Sequence, residues 1–124
     1  MRFSTDFTSA SYIIKAYSKG TVRINEIDYH QSVILSQDQL ILPSPINSIA
    51  DLSEQHIQQM LSLSPEVVII STGESFCFVP QAQLQSFYEK QVGVDIMATD
   101  AACRTYNLLA SEGRKVVACL IVNA

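Results

Sequence analysis

A chain of 124 residues is long enough for one domain with a true hydrophobic core. It is 48% hydrophobic and only 16% charged, against roughly 25% charged in an average domain. Its net charge of −4 and eight scattered basic residues exclude a nucleic-acid binder that tracks the phosphate backbone with clustered Lys and Arg. So few charges fit either a domain that buries surface against a partner or a copy of itself, or an ordinary domain with a Ser/Gln-rich surface.

Met1–Phe7 has no apolar core for a signal peptide. The first strand-like run is Tyr12–Tyr17, followed by Lys19-Gly20 as a turn. Thr21–Asn25 then alternates apolar and polar residues, as a half-buried strand does. Ser32–Ser36 and Leu40–Leu42 are further short apolar runs, and the four together read as an antiparallel meander. From Gln39 to Ala50 there is no charge, and Pro43 and Pro45 keep the chain extended. That segment reads either as a cover packed over the core or as a docking surface for a protein partner or self-association. Asp51-Leu-Ser-Glu54 resembles a capping box, which predicts Asp51 as N-cap of a helix to about Leu63 with Ile57, Met60 and Leu61 on its apolar face.

The second half alternates strand and helix. Glu66–Ile70 is a buried strand, and Pro80 opens a helix with Leu84, Phe87 and Tyr88 inward. Gly93–Met97 is the next strand, and a helix runs from Thr99 to Gly113. Lys115–Val122 ends the chain as a strand apolar on both faces, therefore central. It includes the longest apolar run, Val116–Val122, too short to cross a bilayer. This order predicts a single α/β domain over residues 1–124.

The Thr99 helix is the most informative stretch. Thr99 is placed as N-cap, Asp100 follows where the dipole favours an acid, and Gly113 closes the helix in a left-handed conformation. Arg104, Asn107 and Ser111 form one polar stripe. Arg104 and Asn107 are expected to fix the helix by hydrogen bonds to backbone carbonyls of neighbouring loops. Tyr106 is read as core, with its hydroxyl reaching a partner. Cys77, Cys103 and Cys119 are odd in number and lie in apolar runs, so three free, buried thiols and a cytoplasmic setting are expected.

Ligands of open α/β sheets tend to sit beyond the carboxyl ends of the strands. There Thr72, Gly73, Glu74, Thr99 and Arg104 would rim one crevice, with Asn107 a turn further along the helix. The competing reading is a tight turn beside a helix start that satisfies itself. Asp100 and the lack of a P-loop pattern disfavour phosphate. His30 and His56 are isolated, so no metal site is expected, and no nucleophile–base set or cofactor motif appears.

Gly20–Asn25, Tyr29, Ser32, Thr72-Gly73 and Pro80 form part of a longer pattern. Its densest part is Gly93–Thr99 with Ala102, Arg104, Thr105, Tyr106, Asn107, Leu109, Glu112, Gly113 and Arg114. With these residues the chain resembles the small single-domain proteins of unknown function that include the adipogenesis-associated domain protein and the mitochondrial respiratory complex I assembly factor. The resemblance implies a mixed central sheet with flanking helices and an additional N-terminal antiparallel strand layer. It implies no established activity. Family members often carry a tryptophan after the first strands, where this chain has Leu40-Ile-Leu-Pro43. Two functions follow as expectations. The first is a non-catalytic, assembly-factor-like interaction module. The alternative is a small-molecule-binding protein or enzyme using the Thr72-Gly73 and Thr99 crevice, with Arg104 as anion contact.

Overall fold

The run Val116–Leu120 is buried along its whole length, and in the computed structural model it is the middle strand of five. Residues 11–124 are described, so the reading of Met1–Phe7 lies outside them. The strands are β1 (Ile14–Ser18), β2 (Thr21–Ile24), β3 (Ile27–Tyr29), β4 (Val33–Leu35), β5 (Leu40–Ile41), β6 (Val67–Ser71), β7 (Gly93–Met97) and β8 (Val116–Leu120). The α-helices are α1 (Glu54–Leu61), α2 (Gln85–Glu89) and α3 (Thr99–Ser111). The main sheet has the order β5-β4-β8-β6-β7, with β6 parallel to β7 and β8, and β4 antiparallel to β5 and β8. A separate antiparallel sheet has the order β1-β2-β3.

Successive residues of β8 feed two cores because side chains alternate across a strand. Val117, Cys119 and Ile121 join Ile57, Met60, Leu84 and Phe87 under α1 and α2. Val116, Ala118, Leu120 and Val122 join Tyr106, Ala102 and Cys103 of α3, with Ile14, Val22 and Ile24 of the small sheet. The α/β class, the mixed central sheet and the extra strand layer are therefore as expected.

Several details differ. β4 and β5 belong to the main sheet, not to the N-terminal meander, because Val33-Ile-Leu35 is apolar on both faces and pairs with β8. The third strand of the meander is instead β3. Asp51 does not cap α1. It ends a 3-10 turn, and its carboxylate accepts the Asn47 N–H at 3.0 Å. Ser53 is the N-cap, and His56 completes the capping box. His56 Nδ1 accepts the Ser53 N–H at 2.9 Å and Nε2 lies 3.0 Å from the Ser44 carbonyl, so this histidine ties the uncharged segment to the helix. Pro80 precedes a 3-10 turn, Gln81–Leu84, that continues into α2. Leu84 and Phe87 are buried, but Tyr88 is exposed.

In the Gln39–Ala50 segment Ile46 is completely buried. Ser32 Oγ accepts the Ile46 N–H at 2.9 Å and donates to the Ile46 carbonyl at 2.8 Å. That is the packing of a cover over the core. Leu42, 51% exposed, is what the docking reading retains.

Candidate functional site

β6, β7 and β8 are parallel, so their carboxyl ends lie together and the chain following each meets the others there. Ser71 ends β6, Thr99 opens α3 after β7, and Ile121 follows β8. All three are buried. Thr99 is not the N-cap: Ala98 is, and Thr99 is the first helical residue with its hydroxyl turned into the sheet end. Thr99 Oγ1 accepts the Gly73 N–H at 3.0 Å and lies 2.8 Å from the Ile121 carbonyl and 2.9 Å from Ser71 Oγ. Ser71 Oγ accepts the Ile121 N–H at 2.7 Å. Thr99 donating to Ile121, and Ser71 donating to Thr99, completes the ring with no donor left over. The Thr99 N–H closes it by donating to the Gly73 carbonyl at 2.8 Å.

Gly73 has φ +110°, a conformation side chains rarely adopt. A Cβ there would stand 2.6 Å from the Ala124 carbonyl oxygen, so residue 124 lies directly over the loop. The Glu74 N–H donates to that same carbonyl at 2.9 Å. Thr72 is buried, and its hydroxyl donates to the Ser75 carbonyl at 2.7 Å while accepting the Cys77 N–H at 3.1 Å. Thr72, Gly73 and Thr99 are thus brought together as predicted, with Glu74 exposed at the rim. Their polar groups bond to one another, and Ala124 covers them.

Arg104 and Asn107 lie further along α3, facing β1. β1 is an edge strand, and its outward backbone groups need partners. Asn107 supplies both: Oδ1 accepts the Ile14 N–H at 3.0 Å, and Nδ2 donates to the Ile14 carbonyl at 2.8 Å. The hydrogen bond expected from the Asn107 amide to a backbone carbonyl is present, but it goes to strand β1 and not to a loop. Asn107→Ala should cost about 1–3 kcal/mol, read as a lower thermal midpoint. Arg104 does not bond a backbone carbonyl as expected. It is exposed and pairs with Asp100 at 3.8 Å, because the boundary that meets β1 passes through Asn107 and leaves Arg104 in water. Tyr106 reaches the Tyr12 carbonyl at 2.9 Å. Gly113, φ +79°, closes α3 with Gly113 N–H to Ala110 and Arg114 N–H to Leu109, both 3.0 Å.

Between β1 and α3 runs an open groove of about 330 Å³ lined by Lys15, Tyr17, Asp100, Cys103, Arg104 and Asn107. The Tyr17 hydroxyl oxygen is shielded from solvent there; the Thr99 hydroxyl is its polar neighbour, but no hydrogen bond of normal geometry reaches it from the described residues. Its pKa is raised by burial and by the Glu74 carboxylate. A larger concavity, about 470 Å³, lies at the opposite end of the sheet, at Ser64 and Lys115. Arg114 on its wall is already paired with Glu66 at 3.0 Å.

All three cysteines are free, but Cys77 is exposed rather than buried. The apolar run Phe76-Cys-Phe78 that predicted burial is itself in water. Burial pushes the Cys103 and Cys119 thiols up to about 12. At pH 7–8 a maleimide should therefore modify Cys77 within minutes and the other two only after unfolding. Fast modification of Cys103 in the folded protein would contradict this. Among the described residues no group of three or more His, Cys, Asp or Glu is placed to hold a metal ion.

Residues 14–121 match the family described as a protein of unknown function, DUF498/DUF598. The chain belongs to the DUF498 family. A relative in Francisella tularensis subsp. holarctica, named 13 kDa major membrane protein, is 32% identical over 123 residues, spanning 98% of this chain and 99% of that one. The mouse NADH dehydrogenase [ubiquinone] 1 alpha subcomplex assembly factor 3 is 28% identical over 119 residues; these span 94% of this chain and 63% of the mouse protein. A solved structure from Xanthomonas campestris, 33% identical, superposes with a TM-score of 0.84 over 99% of this chain and 93% of its own. The resemblance read from the sequence to a family of unknown function that includes the complex I assembly factor is thereby confirmed. No described helix of this DUF498 chain is long and apolar enough to cross a membrane.

Proposed function

We propose that this DUF498 chain is a non-catalytic interaction module of the assembly-factor type, which holds a protein partner and transforms no small molecule. The observation that carries this reading is the closed state of the strand ends. Where an α/β protein would present groups to a ligand, Ser71, Gly73, Thr99 and Ile121 bond to one another beneath Ala124. The assembly-factor name of the mouse relative supports the same reading. Affinity capture from the native host, with mass spectrometry of proteins and of metabolites, tests it. A protein partner recovered in near-stoichiometric amount without a metabolite is expected. A metabolite retained with no protein would contradict it. We further infer a cytoplasmic setting, supported by three unpaired thiols, and cell fractionation tests it.

A second reading, binding of a small anion, is favoured by the groove between β1 and α3. It places Lys15, Arg104 and the Tyr17 hydroxyl on one surface, where an anion would have to displace Asp100 from Arg104. Citrate and inorganic phosphate, titrated by calorimetry against the wild type and Arg104→Ala, test this. Binding to the wild type that Arg104→Ala abolishes is expected on this reading, and heats alike for both proteins refute it.

A further inference from the structure

Five consecutive residues, Glu74–Phe78, stand in water between the buried Gly73 and Val79. Phe78 is 86% exposed and Phe76 49%, and their rings meet edge to face with centroids 5.0 Å apart. Single exposed apolar residues are ordinary; two aromatic rings in contact on one loop form a patch. The loop is also braced. Thr72 bonds both Ser75 and Cys77, Glu74 bonds Ala124, and Val79 anchors the exit in the core. This bracing holds the two rings out of the core, and preorganisation of that kind lowers the entropy cost of binding.

The electrostatics narrow the partner. The loop itself carries one charge, the exposed carboxylate of Glu74, and the sequence from Ser75 to Tyr88 is uncharged; Glu89 closes α2 at the opposite end of β6 and β7. No base lies on the loop, and the whole chain carries −4. A second copy would bring the same carboxylate and the same net charge against itself, and an anionic lipid surface would repel Glu74 likewise. A cleft with an uncharged rim would bury Glu74 unpaired. We propose that the Glu74–Phe78 loop is the docking surface for a protein partner that presents an apolar cleft rimmed by Lys or Arg. This rests on the interaction-module reading and names its surface and its partner's chemistry.

The test uses the full chain, immobilised, with lysate of the native host. Four forms are compared: wild type, the double variant Phe76→Ser/Phe78→Ser, Glu74→Lys, and Leu42→Asp. The Phe positions are exposed, so the double variant should fold with an unchanged thermal midpoint. The expected result is a protein that the wild type and Leu42→Asp retain equally. The double variant should hold it at least about ten-fold more weakly. Glu74→Lys and added salt should also weaken it, and alkylation of Cys77 by iodoacetamide should slow in the complex. A partner kept by the double Phe variant but lost by Leu42→Asp would overturn the inference and leave the interaction module standing. Recovery only of a second copy, or binding to phosphatidylcholine–phosphatidylglycerol vesicles in place of a protein, would overturn the partner's chemistry. Recovery of no protein by any form would overturn the interaction module and this inference together.

Discussion

Thr99→Val is expected to destabilise the protein by about 2–4 kcal/mol, although it preserves the side chain's size and branching. The hydroxyl accepts the Gly73 N–H and reaches the Ile121 carbonyl and Ser71 Oγ, all in a buried setting. Valine leaves the Gly73 N–H and the Ile121 carbonyl with no partner, while Ser71 Oγ keeps the Ile121 N–H; each orphaned buried group costs about 1–3 kcal/mol, reduced where the loop relaxes toward water. Thr99→Ser keeps the hydroxyl and should lose much less. The measurement is the denaturant midpoint at constant m-value. An unchanged midpoint for Thr99→Val would mean that the ring is no brace.

The second large effect separates two residues of one uncharged segment. Ile46→Asp should abolish folding, whereas Leu42→Asp should change stability by no more than about 1 kcal/mol. Ile46 is fully buried, clamped by Ser32 on both its backbone groups. A carboxylate there forfeits the burial of the isoleucine, worth about 1.5–3 kcal/mol, and places an unpaired charge in the core at several kcal/mol more. Leu42 already faces water. Circular dichroism and gel filtration read both outcomes. An Ile46→Asp protein that stays folded would show that the segment is not core cover.

The parts legible in the sequence were those set by local pattern. The continuous apolar run of β8 marks a strand buried on both faces, and it lies at the centre of the sheet. Gly113 marks the end of α3, and Asn107, in a three-residue polar stripe on an otherwise apolar helix, marks a bonded amide. The misplaced parts depend on contacts distant in sequence or on near-equivalent local choices. β3 has only three residues, with Asp28 at its centre, and gives no apolar signal. Asp51 and Ser53 are both good caps, and the choice falls to Ser53 because His56 takes the place usually held by Glu or Gln. Phe76-Cys-Phe78 is an apolar run that predicts a buried thiol, yet all three residues are exposed and only Val79 after them enters the core. Nothing near Thr99 in sequence shows that its hydroxyl turns to Ser71 and Ile121, 28 and 22 residues away.

The central claim is that the strand ends form a closed brace, which leaves the exposed loop beyond it to meet other molecules. Native-state hydrogen exchange at the Gly73 and Ile121 amides tests it most directly. Both donate into the buried hydroxyl ring, so both should exchange only through global unfolding, as slowly as the amides of β6 and β8. Exchange of Gly73 and Ile121 within minutes, while β6 and β8 stay protected, would show that the strand ends open to solvent and would contradict the account.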